Sequence, residues 1–510
     1  MFRHSESIEL SRQLAGPYLS PLLNDDIWRL ENNFFGITLG PNEASGTALF
    51  LGGRSGLEVL RLLRRMPSVE IVVVEPNAFM REELFAAVGL QAAGRLRLVP
   101  SLGDAFNERS KIDYVRVDMR MFNWPAVQKL LTQHEVGHIA GEFDAIDVDP
   151  LELVRFCRHH AKSFFWRVCG HNVPLSGKGG APEYEVSVVV PCYKVLPWID
   201  QCMETLAHQT LESLEIIAVD DGSPDETGAR LDEWAARYPG RIKVIHKPNG
   251  GCASARNAGL MAARGTYVGF IDGDDWVSTD MLEALYRSAI MYGSDIAKSG
   301  YTEVYEATST EVDFFPTLSA KSYGPFGLMA DPRHFLSVKP TIWRQLFKRE
   351  FLLGNGIKFP EHVRRFDDLP FQFEALSCAK RMSVIPNCYY NYRLEREGQD
   401  VLARDVKMFV HFPIFDWLEE RVGVWADNEL EQALFATKLN VHRWALGRVN
   451  KEYASRYRAL AAHDLFDRSR HMPFWKMLAI SARRSPREAL FVIRAWLLSK
   501  RKRPEMIASD

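Results

Sequence analysis

The chain has 510 residues, of which 46% are hydrophobic and 25% are charged, a composition typical of a globular protein with about three domains. A formal net charge of −2 gives no reason to expect nucleic-acid binding. The seven cysteines are scattered and form no CxxC pair, which indicates reduced thiols rather than disulfides or a zinc site. With no secretory signal and no apolar run of membrane-spanning length, we expect a cytoplasmic protein.

The first part of the chain alternates short apolar runs with helical patterns, and we predict a first domain over residues 1–169. This β-α-β-α rhythm from residue 47 onward favours a doubly wound, Rossmann-like parallel sheet. Gly52 and Gly56 follow the first predicted strand, where a cofactor can approach the backbone, and Glu75 ends the next strand at the spacing of a ribose-binding carboxylate. Tight packing between strand and helix explains the same glycines equally well.

A segment rich in Gly and Pro and poor in apolar residues, 170–185, is the predicted linker. A second series of strands and helices begins at Val186, and we predict a second α/β domain over 186–400. Residues 401–510 have a helical pattern and form the predicted C-terminal region.

Polar residues follow several predicted strands of the second domain. Pro191 ends the run VSVVV, and Tyr193 lies just beyond it, where its ring suits stacking on a nucleobase. Asp221 suits a hydrogen bond to a base N–H, although DDGS is also favourable turn chemistry. The Gly-rich stretch 249–259 carries Arg256, and its backbone N–H groups suit a diphosphate, unless it is an ordinary helix start with a solvated arginine.

Three carboxylates, Asp272, Asp274 and Asp275, follow directly after the apolar run TYVGFI. Carboxylates this close repel one another unless a cation neutralises them, and hard oxygen ligands suit Mg²⁺ or Mn²⁺ together with substrate phosphate. An acidic turn before a helix is the alternative for this motif taken alone.

The ordered segments VSVVVPCYK, EIIAVDDGSPDET, GGCASARNAG and GTYVGFIDGDDW closely resemble the family 2 inverting glycosyltransferases of the GT-A fold, a large bacterial group that builds surface polysaccharides. The resemblance continues through TIWRQLFKREFL and FPEHVRRFDDLPF and ends at YYNYRLEREG, so it covers residues 186–400. It implies metal-dependent transfer of a sugar from a nucleoside diphosphate sugar, with a UDP-sugar expected, to a hydroxyl of a surface polysaccharide or lipid-linked glycan.

The resemblance also implies roles for single residues. Asp272 and Asp274 form the DxD pair, in which Asp274 is expected to bind the metal and Asp272 to contact ribose or a metal-bound water. Asp368 falls at the position of the catalytic base, with Asp367 beside it because the usual Glu-Asp is Asp-Asp here. The nucleotide-sugar contacts implied are Pro191, Tyr193, Asp221, Arg256, Asp272 and Asp274.

The first domain also resembles the FkbM-type S-adenosylmethionine-dependent methyltransferases, through VEIVVVEPN, KIDYVRVDM and GEFD. The resemblance implies a site for S-adenosylmethionine (SAM) at Gly52, Gly56 and Glu75. It departs from that family at Phe50, where an acidic residue is usual, and after Asp118, where Glu-Gly is absent. The chain is therefore either a bifunctional enzyme that also methylates, or a glycosyltransferase with a cofactor-binding or scaffolding first domain. A glycan-binding or assembly module without activity is a further alternative.

Residues 476–503 carry nine basic side chains against one acid, Glu488, with Trp, Phe and Leu between them. A basic helix with an apolar face predicts either peripheral contact with the inner face of the cell membrane or packing of that face on the protein itself.

Overall fold

The computed structural model describes residues 45–52, 59, 63, 68–92, 94–106, 110–119, 121–145, 147–168, 175–305, 308–315, 326–363, 365–395, 403–425, 427–466, 472–501 and 503–505. The chain divides into two compact units, Met1–Ala181 and Pro182–Asp510. The predicted glycosyltransferase domain and the predicted C-terminal helical region therefore lie together in the second unit.

Strands and helices alternate in the first unit. In chain order they are β1 (Ser45–Leu51), β2 (Ser68–Val74), α1 (Ala78–Ala92), β3 (Leu96–Val99), a 3₁₀ turn (Leu102–Asp104), β4 (Lys111–Asp118), α2 (Trp124–Thr132), β5 (Glu135–Phe143), α3 (Pro150–His160), β6 (Ala161–Val168) and β7 (Leu175–Lys178).

The strands of the first unit form one sheet in the order β3-β2-β1-β4-β5-β6-β7. Strands β1 to β6 run parallel, and β7 pairs antiparallel with β6. The strand order reverses beside β1, whose neighbours are β2 and β4, as in doubly wound folds. The parallel sheet predicted from the alternating pattern is present, whereas the methyltransferase assignment stays a prediction.

One part of the predicted linker is a strand. Leu175–Lys178 pairs with β6 in the register Trp166↔Leu175 to Ser163↔Lys178, and Leu175 is buried. The predicted linker, 170–185, therefore contains a four-residue strand that the sequence did not predict. The sequence LSGK has too few apolar residues to show a strand period, and a strand at a sheet edge needs only one neighbour to satisfy its backbone.

The second unit begins with a strand–helix series and ends in helices. Its elements are β8 (Val186–Cys192), α4 (Leu196–Ala207), β9 (Leu214–Asp220), α5 (Thr227–Arg237), β10 (Ile242–His246), α6 (Cys252–Ala262), β11 (Tyr267–Phe270), β12 (Trp276–Val277), α7 (Met281–Tyr292), β13 (Ile296–Tyr305), β14 (Thr310–Phe314), β15 (Leu328–Ala330), β16 (Gln345–Lys348), α8 (Arg349–Gly354), α9 (Asp368–Cys378), β17 (Met382–Leu394), α10 (His411–Trp425), α11 (Asn428–Leu446), α12 (Lys451–Phe466), α13 (Phe474–Arg484) and α14 (Pro486–Ser499), with 3₁₀ turns at Pro332–Phe335, Ile342–Arg344 and Val406–Val410.

The main sheet of the second unit has the order β10-β9-β8-β11-β16-β13-β17-β12. Strands β10, β9, β8 and β11 are parallel, and β16 is antiparallel to β11. Every residue of β8, β9 and β11 is buried, as expected for Val- and Ile-rich strands covered on both faces. Because these strands are parallel, the residues that follow them meet at one edge of the sheet.

The C-terminal helices pack against one another through two clusters of buried apolar side chains. One joins Phe409 and Phe412 to Tyr457 of α12. The other joins Leu439 of α11 to Val492 of α14. None of the helices in the described ranges combines the length and the hydropathy needed to cross a bilayer.

Candidate active site

The end of β8 presents an aromatic ring to solvent. Pro191 and Cys192 are buried within the strand, whereas Tyr193 is 44% exposed. The Nζ of Lys194 lies 5.3 Å from the centre of the Tyr193 ring. Pro191 thus supports the strand end rather than offering a surface to a ligand, and Tyr193 has a face available for stacking.

Asp221, after β9, is buried and holds the Gly-rich loop that precedes α6. Its carboxylate accepts hydrogen bonds from the N–H of Gly250 (3.0 Å) and of Gly251 (2.8 Å), and from Lys247 Nζ (2.6 Å). Gly251 has a φ of 88°, which favours glycine at this N-cap position. These two amides bind Asp221, so the structure does not present them to a diphosphate as the sequence predicted.

Helix α6 rests directly on β8. A Cβ added at Gly259 would lie 2.2 Å from Val189 Cγ1, so no side chain fits at this crossing. The close approach fixes Arg256, one turn earlier, in a buried position.

Arg256 binds two carboxylates that are far apart in sequence. Its Nη1 donates to both oxygens of Asp367 at 3.0 and 2.9 Å, and its Nη2 donates to Asp272 Oδ1 at 2.7 Å. The guanidinium therefore brings together the DxD segment after β11 and the Asp-Asp pair at the start of α9. Such charge-assisted, bidentate contacts are both strong and geometrically specific.

The third carboxylate of the DGDD segment is fully engaged by the protein. Asp275 is buried and accepts hydrogen bonds from Tyr390 Oη (2.6 Å) and from the backbone N–H of Arg393 (2.8 Å). Burial, together with the negative charges of Asp274 and Asp272, raises the pKa of Asp275 well above its usual range. Arg393 Nε also donates to the carbonyl oxygen of Asp274 at 2.8 Å, so β17 fixes the shape of this turn.

Asp368 begins α9 and is partly exposed, unlike the buried Asp367. Burial of its carboxyl group, followed by the negative charge of Asp367, raises the pKa of Asp368 to about 7, although Arg256 opposes the shift. Burial also raises the pKa of Asp367, again against the effect of Arg256. A carboxyl group that titrates near neutral pH is suited to accept a proton from a hydroxyl.

Asp368 lines a cavity of about 550 Å³ whose opposite wall comes from the C-terminal helices. Trp444 of α11 packs edge-on against Phe366 and against His411, with ring centres 5.9 Å apart in both pairs. The sequence did not predict this wall, because the helical pattern of α11 shows an apolar face but not what it covers. The lining comprises Glu303, Tyr305, Ser337, Val338, Lys339, Pro340, Phe366, Asp368, Leu369, Tyr392, Leu394, Glu395, Arg404, His411, Thr437, Asn440, Val441, Trp444 and Arg448.

Residues 187–313 match the family model described as Glycosyl transferase family 2. This segment is therefore similar to the family 2 glycosyltransferases. The resemblance found in the sequence is therefore confirmed over residues 187–313. The match ends before Asp368 and before the C-terminal helices, so it covers the DxD side of the site only.

Curated relatives are similar over the same region. The Bacillus subtilis protein named uncharacterized glycosyltransferase EpsJ is 38% identical over 216 residues, 41% of this chain and 60% of the relative. The poly(ribitol-phosphate) beta-glucosyltransferase of Bacillus spizizenii is 26% identical over 274 residues, 51% of this chain and 40% of the relative. The chain thus spans less than two thirds of the length of either relative.

Among solved structures, S. aureus TarS 1-349 in complex with UDP-GlcNAc is 20% identical, with a TM-score of 0.49, over 62% of this chain and 90% of that chain.

The carboxylates that follow β11 are of the type that binds a divalent cation. Within the described ranges, no group of three or more His, Cys, Asp or Glu side chains is already arranged to hold a metal ion. Asp272 and Asp274 nevertheless offer hard oxygen donors, and burial, followed by the negative charges of Asp274 and Asp272, raises the pKa of Asp275 beside them. Two carboxylates completed by substrate phosphate form the donor set that Mg²⁺ and Mn²⁺ accept.

In the first unit, two of the three predicted SAM-site residues are described, and Gly56 lies outside the described residues. Gly52 has a φ of 102°, and a Cβ added there would lie 3.2 Å from Asp118 Cβ, so the ends of β1 and β4 approach closely. Glu75 is buried and accepts a hydrogen bond from the N–H of Asn77 at 3.0 Å. Gly52 and Glu75 thus follow β1 and β2 directly, and Asp118 is the last residue of the adjacent strand β4.

Proposed function

We propose that the chain is an inverting glycosyltransferase that moves a sugar from a nucleoside diphosphate sugar, with UDP as the expected nucleotide, to a hydroxyl of a surface polysaccharide or lipid-linked glycan. One observation carries the proposal: Arg256 binds Asp272 and Asp367 at once, so the DxD segment and Asp368 belong to one site. The match to the family 2 model supports a nucleotide-sugar donor. The name of the Bacillus spizizenii relative, a poly(ribitol-phosphate) beta-glucosyltransferase, supports a polymer as acceptor.

In this proposal the donor lies along the carboxyl ends of β8, β9 and β11. Tyr193 stacks on the base, and Asp221 acts indirectly by holding the Gly-rich loop beneath it. Mn²⁺ or Mg²⁺ held by Asp272 and Asp274 would supply positive charge opposite the departing diphosphate. Arg256 orients Asp272 toward this ion through its hydrogen bond of 2.7 Å.

Asp368 acts as the general base. The acceptor oxygen forms a bond to the anomeric carbon while the bond from that carbon to the diphosphate oxygen breaks, and Asp368 takes the hydroxyl proton. A single displacement from the opposite face inverts the anomeric configuration and needs no protein nucleophile. Asp367 remains paired with Arg256, which leaves Asp368 as the carboxylate that lines the cavity.

The cavity beside Asp368 receives the acceptor. Its volume of about 550 Å³ is within the range of pockets that bind small organic ligands. Trp444 has a partly exposed ring that suits contact with the C–H surface of a sugar, and Glu303 accepts hydrogen bonds from Tyr305 Oη at 2.8 Å and Lys339 Nζ at 3.0 Å. The C-terminal helices would thereby take part in the choice of acceptor.

The experiment is a turnover assay with purified full-length protein, a panel of nucleotide sugars and Mn²⁺. Asp274→Ala and Asp368→Asn should abolish transfer, and Asp280→Asn is the matched control, since Asp280 is exposed and makes no capping hydrogen bond. Equal rates in all variants would refute the assignment of these residues. A product with the donor's anomeric configuration would refute inversion.

The acceptor cavity is tested separately. Trp444→Ala should lower the transfer rate while the slow release of UDP to water continues, because the donor side is intact. Trp417→Ala removes a comparable ring from α10 outside the cavity and should transfer normally. Loss of transfer in both variants, or in neither, would contradict the proposed role of the cavity.

A second activity is supported by the edge of the first unit's sheet, where Gly52, Glu75 and Asp118 lie at the ends of neighbouring strands at a reversal of strand order. Ligands of doubly wound folds bind at such reversals. We propose SAM as the cofactor, in line with the sequence resemblance. Isothermal titration calorimetry of the intact protein with SAM tests this proposal. No heat of binding at about 1 mM SAM, a concentration that would detect even weak binding, would contradict it.

A further inference from the structure

The last helix, α14, exposes a row of large apolar side chains. Leu490 is 48% exposed, Ile493 is 37% exposed and Leu497 is 57% exposed. Their spacing of three and four residues places them on one face of the helix. Three apolar side chains in a continuous row are more than the scattered exposure that is normal on protein surfaces.

The opposite face of α14 is the one that holds the helix to the protein. Val492 and Ala495 are buried in the cluster that includes Leu439 of α11 and Ala462 of α12. Packing of the helix on the protein, the alternative left open by the sequence, therefore accounts for Val492 and Ala495 but not for the exposed row.

A row of arginines runs beside the exposed apolar row. Arg487, Arg494 and Arg501 are seven residues apart, and all three are exposed. At 100° per residue, Arg494 is 40° around the helix from Leu490, and Arg501 follows two residues after the end of α14 at Ser499. Within the described part of the chain, no carboxylate forms an ion pair with these arginines.

The one acid of this region does not offset their charge. Glu488 is buried, accepts a hydrogen bond from Arg443 Nη1 at 2.6 Å and forms an ion pair with Arg484 Nε at 3.1 Å. The exposed face of α14 therefore combines uncompensated positive charge with apolar side chains. A ligand for this face must be anionic at its surface and apolar immediately beneath.

We infer that α14 binds the surface of a bilayer that contains anionic lipids, with Leu490, Ile493 and Leu497 between the headgroups and the arginine row against lipid phosphates. A bilayer interface supplies both properties in the required layers. A nucleic acid would match the arginines but not the apolar row. A second copy of the chain would bring arginine rows close together and is disfavoured by repulsion.

The test is flotation of the full-length protein with vesicles of phosphatidylcholine alone or of equal parts phosphatidylcholine and phosphatidylglycerol. We expect binding only to the second kind, and loss of binding in 1 M salt, where the Debye length is about 3 Å. The triple variant Arg487→Gln, Arg494→Gln, Arg501→Gln should bind about a hundredfold more weakly, given a fewfold contribution from each basic residue near an anionic surface. The triple variant Leu490→Ser, Ile493→Ser, Leu497→Ser should lose at least about tenfold.

Two control variants change the same kind of side chain away from α14, one replacing exposed apolar residues and the other removing three positive charges. Met261, Met329 and Leu353 are 64%, 48% and 39% exposed elsewhere on the second unit, and changing all three to Ser should leave vesicle binding unchanged. Changing the exposed Lys243, Lys358 and Lys380 to Gln removes the same charge away from α14.

Binding that is equal for both vesicles, or equal in α14 variants and controls, would overturn the inference. A dimer in light scattering that is lost in the Leu/Ile variant, without any flotation of the native protein, would overturn it in favour of self-association. Thermal unfolding midpoints close to that of the native protein would show that the variants are folded. Donor turnover in detergent-free buffer does not depend on this inference, so its presence or absence tests the proposed function alone.

Discussion

Two groups of buried charged side chains in the second unit differ in how well their charges balance. In the active-site group Arg256 forms ion pairs with Asp272 and Asp367 beside further acids, whereas the group among the C-terminal helices joins Lys438 and His442 to Asp464 and Glu419. The acids of the active-site group are Asp272, Asp274, Asp275, Asp367 and Asp368.

The pKa of Asp464 follows this difference, whereas burial raises the pKa of Glu419 in the same group despite Lys438. Burial would raise the pKa of Asp464, but Lys438 at 3.1 Å and His442 at 2.8 Å hold it below its usual range. In the active-site group, burial and like charges raise the pKa of Asp275 and of Asp368 instead. Ion pairs such as Lys438–Asp464 join neighbouring helices. A cluster of carboxylates with raised pKa values is instead typical of a place where a cation or a proton is bound.

The largest expected effect is a loss of transfer rate when an acid of the active-site group is replaced. Asp368→Asn should lower the transfer rate by about a thousandfold, because general-base catalysis contributes on that order, while the dissociation constant of the donor changes little. Initial rates and donor titration of the same preparation measure both. A variant that transfers within about tenfold of the native rate would show that Asp368 is not the base.

Breaking the balanced group should affect stability instead. Lys438→Met leaves Asp464 and Glu419 without their lysine, and we expect the free energy of unfolding to fall by about 3–5 kcal/mol. Urea denaturation followed by tryptophan fluorescence measures this loss, and the folded fraction should keep its turnover number. The further change Asp464→Asn in the same chain should recover part of the loss, and a loss below about 1 kcal/mol in the single variant would show that the pairing is weak.

The pH profile should report the unbalanced group. As a base, Asp368 works only when deprotonated, so the transfer rate should fall about tenfold for each pH unit below a pKa of about 7. Its folded-state pKa exceeds the unfolded value of 3.8, so wild-type stability decreases as pH rises from about 4 to 7. Asp368→Asn should therefore unfold at a higher temperature than the native protein at pH 8 and at a similar temperature at pH 4. An unchanged rate between pH 5 and pH 8 would contradict the raised pKa.

The smallest expected effect is thermal stabilisation by a cation. Mn²⁺ with UDP should raise the unfolding midpoint by a few degrees, as for any ligand that binds only the folded state. Asp274→Asn should remove the shift, and Asp280→Asn should keep it. An equal shift in both variants would place the cation elsewhere.

The sequence predicted the members of the active-site group better than their contacts. Asp272, Asp274 and Asp368 follow or precede regular elements in recognisable motifs, so their convergence at one edge could be expected from parallel strands. Arg256 was expected to face a diphosphate, but it binds Asp272 and Asp367, 16 and 111 residues away. Local spacing contains no information about such distant partners.

Other contacts had only weak signals in the sequence. The role of Asp275 could have been inferred from its place in DGDD, but its partner Tyr390 lies 115 residues further on. Lys438, His442 and Asp464 show no motif at all, because a buried ion pair arises from how α11 and α12 pack. The strand at Leu175–Lys178 was missed because edge strands tolerate polar, Gly-containing sequences.

Because the guanidinium of Arg256 binds both Asp272 and Asp367, it links the binding of the leaving group to the basicity of the adjacent Asp368. A substitution of Arg256 that weakens donor binding would also remove the counter-ion of Asp367, and the pKa of the adjacent Asp368 would rise. Changes of sugar preference should therefore be made in the residues that line the pocket. A substitution of Arg256 would alter donor binding and the pKa of Asp368 at the same time.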